Sequence, residues 1–299
     1  MSFQLGLIGY PLGHSLSPQI HKAALNSCGL EGDYSLFSIP PDDHQGLGSL
    51  LDRVRQGEIH GLNVTIPHKQ NVIPLLDELT PTAQVIGAVN TISMRNGQLV
   101  GDNTDAPGFL ADLKEFLTTE NTEYTEKIKR KKPLSSVVDK RSLILGAGGS
   151  ARAVVYALVN DGWDAIISAR RIEQAQALIA QFPNHDFRIS SIEYSSATLR
   201  SLLSTLSLIV NTTPLGMSPN VDVSPWPADL PFPQDAVVYD LVYNPRETNL
   251  VRDARLAGLP AITGLGMLIE QAALSFEIWT GCKPQRDVLF EAVGATRSD

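Results

Sequence analysis

The chain has 299 residues, of which 43% are hydrophobic and 19% are charged, and its formal net charge is −8. This composition excludes the disordered, collagenous and membrane-spanning classes of protein. The negative charge argues against a nucleic-acid partner, because a polyphosphate backbone would be repelled. At about 100 to 200 residues per domain, the length favours two domains.

The cysteines and the first residues indicate the cellular compartment. Cys28 and Cys282 are the two cysteines, too few for a disulfide scaffold and without the paired spacing of a zinc site. We therefore expect two free thiols in a reducing compartment. Residues 1–9 carry no lysine or arginine, and no apolar run reaches the roughly 18 residues of a membrane span. The expected location is the cytoplasm.

The first third of the chain has the pattern of an α/β block. Apolar strands are predicted at 5–8, 34–39 and 60–66, with a further apolar segment at 88–93. A helix is predicted from Pro18 to about Cys28, because proline favours the first turn of a helix.

From residue 142 onward, strands and helices alternate more regularly. Strands are predicted at 142–145, 165–168, 206–210 and 237–241, most of them separated by helical stretches. Such alternation predicts parallel strands with right-handed helical crossovers. Residues 214–233 hold six prolines, so this segment is predicted to be a long ordered loop of the kind that frames a site.

A polar segment, residues 118–140, separates the two blocks and carries five basic residues within 127–132. A solvated loop is the expected structure. A nucleic-acid patch is the alternative, and the acidic remainder of the chain argues against it.

A glycine-rich turn predicts a dinucleotide site. Residues 143–155 read L-I-L-G-A-G-G-S-A-R-A-V-V, an apolar strand, a glycine turn and the start of a helix. Small residues let the backbone approach a pyrophosphate, and the helix N-terminus supplies N–H groups and a positive dipole. Ala151 stands where the third glycine of the fingerprint would be, a permitted replacement. A simple strand-to-helix turn is the alternative.

The residues after the next strand predict the type of dinucleotide. An NAD site usually has an acidic residue there for the ribose hydroxyl, whereas this chain has Arg170 and Arg171. Two guanidinium groups suit a 2′-phosphate, so NADP is favoured over NAD. Two surface arginines at a helix start are the alternative.

Polar side chains at element ends in the first block predict a small-molecule pocket. Ser15 and Ser17 are spaced to grip a carboxylate, although Ser17 could instead cap the helix opened by Pro18. Lys69 follows a predicted strand, where it could face a cleft and transfer a proton, although lone lysines are usually solvated.

The polar turn 101–105 (G-D-N-T-D) and Asn90 add acceptors and carboxylates to this set, as in a polyol-binding pocket. None of the six histidines falls in a metal-binding pair, and no metal site is predicted.

Seven motifs, in this order, resemble the shikimate dehydrogenase family: G-Y-P-L-G-H-S-L-S-P, N-V-T-I-P-H-K, G-A-V-N-T, D-N-T-D, G-A-G-G-S-A-R, N-T-T-P-L-G-M and G-L-G-M-L-I-E-Q. The resemblance covers nearly the whole chain. It implies an α/β protein with a substrate-binding and catalytic domain (1–105 with 265–299), a doubly wound Rossmann domain that binds NADP (106–264), and a C-terminal helix that returns to the first domain.

The resemblance also implies the site residues. Lys69 and Asp105 would be the catalytic pair. The substrate would contact Ser15, Ser17, Thr65, Asn90, Asp105, Tyr243 and Gln271. NADP would contact Gly146, Ala147, Gly148, Gly149, Ser150, Arg170, Arg171, Asn211, Thr212, Met217, Leu241 and Gly264.

The implied activity is the reversible NADP-dependent reduction of 3-dehydroshikimate to shikimate, with Lys69 supplying or positioning the proton. Three alternatives are a quinate or quinate/shikimate dehydrogenase that uses NAD, a ligand sensor without turnover, and a dehydrogenase acting on a folate. Whether the protein is a monomer or a homodimer is left open.

Overall fold

The computed structural model describes residues 2–118, 140–182 and 188–296. The basic run 127–132 and His185 lie outside them. The chain divides into two compact units, Met1–Gly108 with Leu268–Asp299, and Phe109–Met267. The sequence placed both divisions three residues earlier, after residues 105 and 264.

The first unit contains a mixed six-stranded sheet in the order β2-β1-β3-β5-β6-β4. β1 pairs in parallel with β2 and β3, whereas β5 is antiparallel to both β3 and β6. Its strands are β1 (Ser2–Gly9), β2 (Glu31–Ser38), β3 (Gly61–Val64), β4 (Glu78–Leu79), β5 (Thr91–Arg95) and β6 (Gln98–Asp102).

The β5–β6 hairpin was missed in the sequence, although its turn is Asn96-Gly97. Both residues have positive φ, 52° and 79°, as a two-residue hairpin turn requires, and Asn-Gly is the usual pair for it. The apolar segment predicted at 88–93 thus contributes only its last three residues to β5.

Three helices of the first unit are α1 (Ser17–Ser27), α2 (His44–Arg55) and α3 (Pro81–Ile86). α2 buries Leu47, Leu50, Leu51 and Val54, the three-to-four spacing of a helix with one apolar face. Strand residues such as Ile8, Leu62 and Ile92 complete this core.

The alternative in which Ser17 caps α1 is wrong. Leu16 occupies the cap position and Ser17 begins the helix. The Oγ atom of Ser15 accepts the N–H of Ser17 at 3.2 Å, so the first serine holds the helix start. The two serines flank the cap position, and the pattern did not distinguish which of them accepts the hydrogen bond.

The second unit contains six parallel strands in the order β12-β11-β10-β7-β8-β9. This is the doubly wound order of a Rossmann fold, so the predicted fold class is confirmed. The strands are β7 (Arg141–Leu145), β8 (Asp164–Ala169), β9 (Ile189–Glu193), β10 (Leu208–Asn211), β11 (Val237–Asp240) and β12 (Ala261–Thr263). No helix or strand is assigned between β10 and β11, where the prolines are.

The other α-helices of the described ranges are α4 (Asp105–Thr118), α5 (Gly149–Asn160), α6 (Ile172–Ile179), α7 (Ser196–Arg200), α8 (Asn249–Leu256), α9 (Leu265–Thr280) and α10 (Arg286–Ala292). α9 begins in the second unit and ends in the first. Near its end, the indole of Trp279 donates to the Ile92 carbonyl at 3.0 Å. The predicted return of the C-terminal helix is thereby confirmed.

The prediction of two free thiols is wrong. Cys28, at the end of α1, and Cys282, after α9, form a disulfide across 254 residues of sequence, with their Cα atoms 6.4 Å apart. The return of α9 to the first unit brings the two together, and no local spacing in the sequence reports such a tertiary contact.

Within the described ranges, no helix is long and apolar enough to cross a membrane.

Candidate active site

The topology of the first sheet collects polar segments at one edge. β1, β3 and β6 run in one direction and β5 runs in the other. The residues after β1, β3 and β6 and those before β5 therefore share an edge. Ser15 and Ser17 follow β1, and Thr65 and Lys69 follow β3. Asp105 follows β6, and Asn90 precedes β5. The edge therefore gathers most of the residues predicted to bind substrate.

Lys69 and Asp105 form a largely buried ion pair at this edge. The Nζ atom of Lys69 lies 2.5 Å from the Oδ2 atom of Asp105, with 13% and 5% of the side chains exposed. The Lys69 carbonyl accepts from the N–H of Val89 at 2.8 Å. Asp105 opens α4, where a carboxylate is favoured by the helix dipole. An ion pair held this firmly presents an ammonium group in a fixed place.

Asn90 links this pair to the rest of the site. Its Nδ2 atom lies 2.8 Å from the Oδ1 atom of Asp105 and 3.3 Å from the Oε1 atom of Gln271. Its Oδ1 atom accepts the backbone N–H of Thr104 at 2.7 Å. Asn90 is 2% exposed, so these bonds replace its contacts with water and fix both groups of the amide.

Gln271 enters the site from α9. Its Nε2 atom donates to the Leu268 carbonyl at 2.8 Å, which leaves Oε1 directed at Asn90. A Cβ added to Gly108 would lie 2.8 Å from the Gln271 backbone nitrogen. Only glycine therefore allows α4 and α9 to approach this closely at that point.

Ser15, Ser17 and Thr65 lie on the adjoining segments. The Thr65 backbone N–H donates to the Ile8 carbonyl at 2.8 Å. A Cβ on Gly9 would lie 2.4 Å from the Thr65 Cγ2 atom, so the threonine side chain packs directly on the end of β1. Ser15 is half-buried and Ser17 is buried.

A layer of buried hydroxyls and amides beneath the site was not recognised in the sequence. The Oγ atom of Ser275 lies 2.7 Å from Thr91 Oγ1, 3.0 Å from Thr104 Oγ1 and 2.9 Å from Asn63 Nδ2. The Oδ1 atom of Asn63 accepts from the Tyr34 hydroxyl at 2.9 Å. One signal was available, because Ser275 lies four residues after Gln271 and so on the same face of a helix.

The dinucleotide turn of the second unit consists of small residues whose backbone groups are not covered by side chains. Gly146 follows β7 with φ +112°, and a Cβ there would lie 2.6 Å from the Thr212 Oγ1 atom. Gly148 caps α5 and has no side chain to occupy the first-turn N–H groups. A Cβ on it would meet nothing within 4 Å. With Ala147, Gly149 and Ser150 these residues form an open cradle at a helix N-terminus, which fits a pyrophosphate.

Arg170 and Arg171 follow the end of β8 and are both exposed. Arg171 is the residue before α6, and Glu173 lies in the first turn of that helix. Because β7 and β8 are parallel neighbours, the arginines share a sheet edge with the glycine turn. Their position fits a phosphate on the ribose of a dinucleotide.

The other residues predicted to contact cofactor also follow strand ends. The Oγ1 atom of Thr212 donates to the Leu145 carbonyl at 2.7 Å, and Asn211 is fully buried. Met217 is exposed. A Cβ on Gly264 would lie 2.3 Å from the Leu241 carbonyl oxygen, so β11 and β12 end in close contact.

Tyr243 was predicted to contact substrate. It lies in the second unit, after β11, and burial raises the pKa of its phenol.

The two units together carry a dinucleotide cradle and a polar pocket with a fixed lysine–carboxylate pair. These are the parts of a dinucleotide-dependent oxidoreductase acting on a small hydroxylated substrate.

Family models agree with this class. Residues 7–92 match the shikimate dehydrogenase substrate binding domain, and residues 264–293 match the shikimate 5′-dehydrogenase C-terminal domain. A shikimate dehydrogenase (NADP⁺) from Shouchella clausii is 39% identical over 293 residues, which cover 98% of each chain. The chain belongs to the shikimate dehydrogenase family.

Solved structures share the whole fold. The shikimate 5-dehydrogenase from Thermus thermophilus, in complex with NADP(H) and shikimate, has a TM-score of 0.79 at 37% identity and covers 97% of this chain and 98% of its own. A quinate dehydrogenase from Corynebacterium glutamicum, in complex with NAD, has a TM-score of 0.81 at 32% identity, with 98% of both chains covered.

Proposed function

We propose that this protein catalyses the reversible NADP-dependent reduction of 3-dehydroshikimate to shikimate. The observation that carries the proposal is the buried Lys69–Asp105 pair, held by Asn90 at the same sheet edge as the two serines. The family membership and the substrate and cofactor of the Thermus thermophilus relative support it.

The pocket residues would divide recognition and proton transfer between them. Ser15 and Ser17 offer hydroxyl groups that suit the substrate carboxylate, while Asn90 and Gln271 offer amides that suit ring hydroxyls. Asp105 orients Lys69, whose ammonium group would supply the proton to the alkoxide that forms when the ketone is reduced. In the reverse direction the same amine accepts the proton.

NADPH supplies the hydride when it is bound. The cradle Gly146–Ser150 would hold its pyrophosphate through backbone N–H groups, and Arg170 and Arg171 would hold its 2′-phosphate through charge-assisted hydrogen bonds. Thr212, Leu241 and Gly264 would line the remainder of the dinucleotide site.

The test is a set of initial rates of dinucleotide reduction with shikimate or quinate, each in the presence of NADP or NAD. Turnover with shikimate and NADP at a higher kcat/KM than every other combination is the expected result. Preference for quinate and NAD would instead support the activity named for the Corynebacterium glutamicum relative. Binding without turnover would indicate a sensor.

We also propose a cytoplasmic location. Free thiols no longer support this location, because Cys28 and Cys282 are paired and disulfides persist mainly in oxidising compartments. Cell fractionation with an antibody against the protein tests the location.

A homodimer is the proposed assembly, and sedimentation velocity across a range of protein concentrations tests it.

A further inference from the structure

Asp240 is a buried carboxylate that the proposed mechanism does not use. It is the last residue of β11 and is fully buried. In the sheet register it lies beside Asn211, the last residue of β10, which in turn lies beside Leu145, the last residue of β7. Asp240 therefore lies in the same row of strand ends as Leu145, and the dinucleotide turn begins directly after Leu145.

Three donors, one from the end of β10 and two from the segment after β11, converge on this carboxylate. Its Oδ1 atom accepts from the Asn211 side-chain amide at 2.7 Å and from the Val242 backbone N–H at 3.0 Å. Its Oδ2 atom accepts from the Thr248 hydroxyl at 2.7 Å. The three hydrogen-bond donors are an amide, a backbone N–H and a hydroxyl, none of which titrates. Burial raises the pKa of Asp240 to about 6, although all three hydrogen bonds lower it.

The contact with Asn211 extends into the loop after β10. With its nitrogen held by Asp240, Asn211 accepts at Oδ1 from both the backbone N–H of Thr213, at 2.9 Å, and its hydroxyl, at 2.7 Å. A Cβ on Gly146 would lie 2.6 Å from the Oγ1 atom of the preceding residue, Thr212. The loop held by Asp240 is therefore packed directly on the dinucleotide turn.

The contact with Thr248 extends to the segment after β11. Thr248 caps α8 by accepting the Val251 N–H. The Ser218 N–H donates to the Asn244 carbonyl at 3.0 Å, which ties this segment to the loop after β10. One carboxylate thus fixes the loop after β10 and the segment after β11, each of which carries predicted cofactor residues.

We infer that Asp240 is a positioning residue for the dinucleotide site, which acts through Asn211 and Thr248 and touches neither substrate nor cofactor. A carboxylate suits this place because it accepts from all three neighbours at once, and two of them, the Asn211 amide and the Val242 N–H, can only donate. An asparagine keeps one acceptor oxygen and turns its N–H group towards the Thr248 hydroxyl, which then loses the acceptor of its own proton. The inference rests on the proposed function in taking NADP as the ligand of the second unit.

The test compares Asp240→Asn with a matched control, Ser142→Ala. Ser142 is also fully buried in the same sheet, but it lies in β7 near the opposite edge, where its hydroxyl donates to the Asp164 carbonyl at 2.9 Å. Calorimetry on the full chain gives the Kd for NADP⁺ and for shikimate separately, and thermal unfolding gives the stability of each variant.

We expect Asp240→Asn to raise the Kd for NADP⁺ at least fivefold at pH 7.5 and to change the Kd for shikimate less than twofold. Ser142→Ala should change both constants less than twofold at a similar loss of Tm. An Asp240→Asn protein with the stability loss but an unchanged Kd for NADP⁺ would show a merely structural role and overturn the inference. An equal rise in both Kd values would overturn it as well.

A pH series adds a readout that loss of stability does not produce. Protonation of Asp240 below about pH 6 should weaken NADP⁺ binding in the wild type, so the ratio of variant to wild-type Kd should fall towards one as the pH drops from 7.5 to 5. The 2′-phosphate of NADP also titrates near pH 6, but it does so equally in both proteins and cancels in the ratio. A ratio that stays near one at every pH contradicts the inference.

Measuring binding separately from turnover distinguishes the two proposals. A wild type that binds NADP⁺ but does not oxidise shikimate would refute the proposed function and still allow the comparison of variants. A wild type that does not bind NADP⁺ would overturn both. If Asp240→Asn fails to fold, Thr248→Val against Thr248→Ser tests the same hydrogen bond from the donor side.

Discussion

The two candidate sites are built in opposite ways. In the first unit, side chains from the ends of four strands and from α9 hold one another through buried hydrogen bonds, and the Lys69–Asp105 pair is fixed by Asn90. In the second unit, the dinucleotide cradle depends on the absence of side chains at Gly146 and Gly148. A site for a reacting group needs fixed functional groups, whereas a site for a pyrophosphate needs backbone N–H groups and room.

The largest effect is expected at Lys69, in the polar site of the first unit. Lys69→Ala should lower kcat by about 10² to 10⁴-fold, the usual contribution of a general acid, without changing the Kd for NADP⁺, because the cradle lies in the other unit. Steady-state kinetics and calorimetry measure the two quantities. Lys22→Ala, at an exposed lysine of the same unit, is the control, and an equal kcat in both variants would remove Lys69 from the mechanism.

The converse effect is expected at the glycine turn. Gly146→Ala places a Cβ 2.6 Å from Thr212 Oγ1 at φ +112°, a strain of about 1 to 3 kcal/mol. The Kd for NADP⁺ should rise about tenfold to a hundredfold, with the Kd for shikimate unchanged. Gly162→Ala is matched, since its φ is +85° but a Cβ would meet nothing within 4 Å. Equal losses of NADP⁺ affinity in both variants would mean that backbone strain alone is responsible.

The arginines should affect the choice of dinucleotide rather than the rate. Removing both with Arg170→Ala and Arg171→Ala should lower the preference for NADP over NAD by about tenfold or more, since hydrogen bonds to charged groups contribute about 1.5 to 3 kcal/mol each. The ratio of kcat/KM for the two dinucleotides measures this preference. Arg141→Ala, at the start of β7 and so at the opposite sheet edge, should leave the ratio unchanged. A preserved NADP preference in the double variant would disprove the assignment.

The smallest effect concerns stability, and its sign should differ between the units. Burial lowers the pKa of His21, in the first unit, from 6.5 to about 3, so the unfolded chain binds the proton first and stability is lost as the pH falls below about 6.5. The pKa of Asp240, in the second unit, is raised from 3.8 to about 6, so the folded chain binds the proton first and stability is lost as the pH rises towards 6.

Each residue should contribute a slope of at most about 1.4 kcal/mol per pH unit. Urea unfolding of the wild type, His21→Phe and Asp240→Asn between pH 4.5 and 6.5 measures these contributions. The stability advantage of the wild type over His21→Phe should grow with pH, while its advantage over Asp240→Asn should shrink. Parallel curves for all three proteins would show that neither group titrates with folding.

The sequence predicted the dinucleotide turn more completely than it predicted the pocket. The strand, the glycines and the helix start are contiguous, so local sequence reports the cradle directly. The pocket draws on residues as far apart in the chain as Ser15 and Gln271, and its second layer, in which Ser275 contacts Asn63, was missed. Ser275 lies in an apolar-looking segment, and only the packing of α9 against the first sheet brings it to Asn63.

By itself, the sequence determined the two-block α/β organisation, the parallel Rossmann pattern and the motifs of the shikimate dehydrogenase family. These follow from periodicity and from residues that are close together in the chain. Only the tertiary structure decided the Cys28–Cys282 pairing, the role of Ser15 at the start of α1, and the three donors around Asp240. The disulfide and the Asn211–Asp240 contact join residues that are distant in sequence, and all of these contacts depend on backbone geometry that composition and local patterns do not encode.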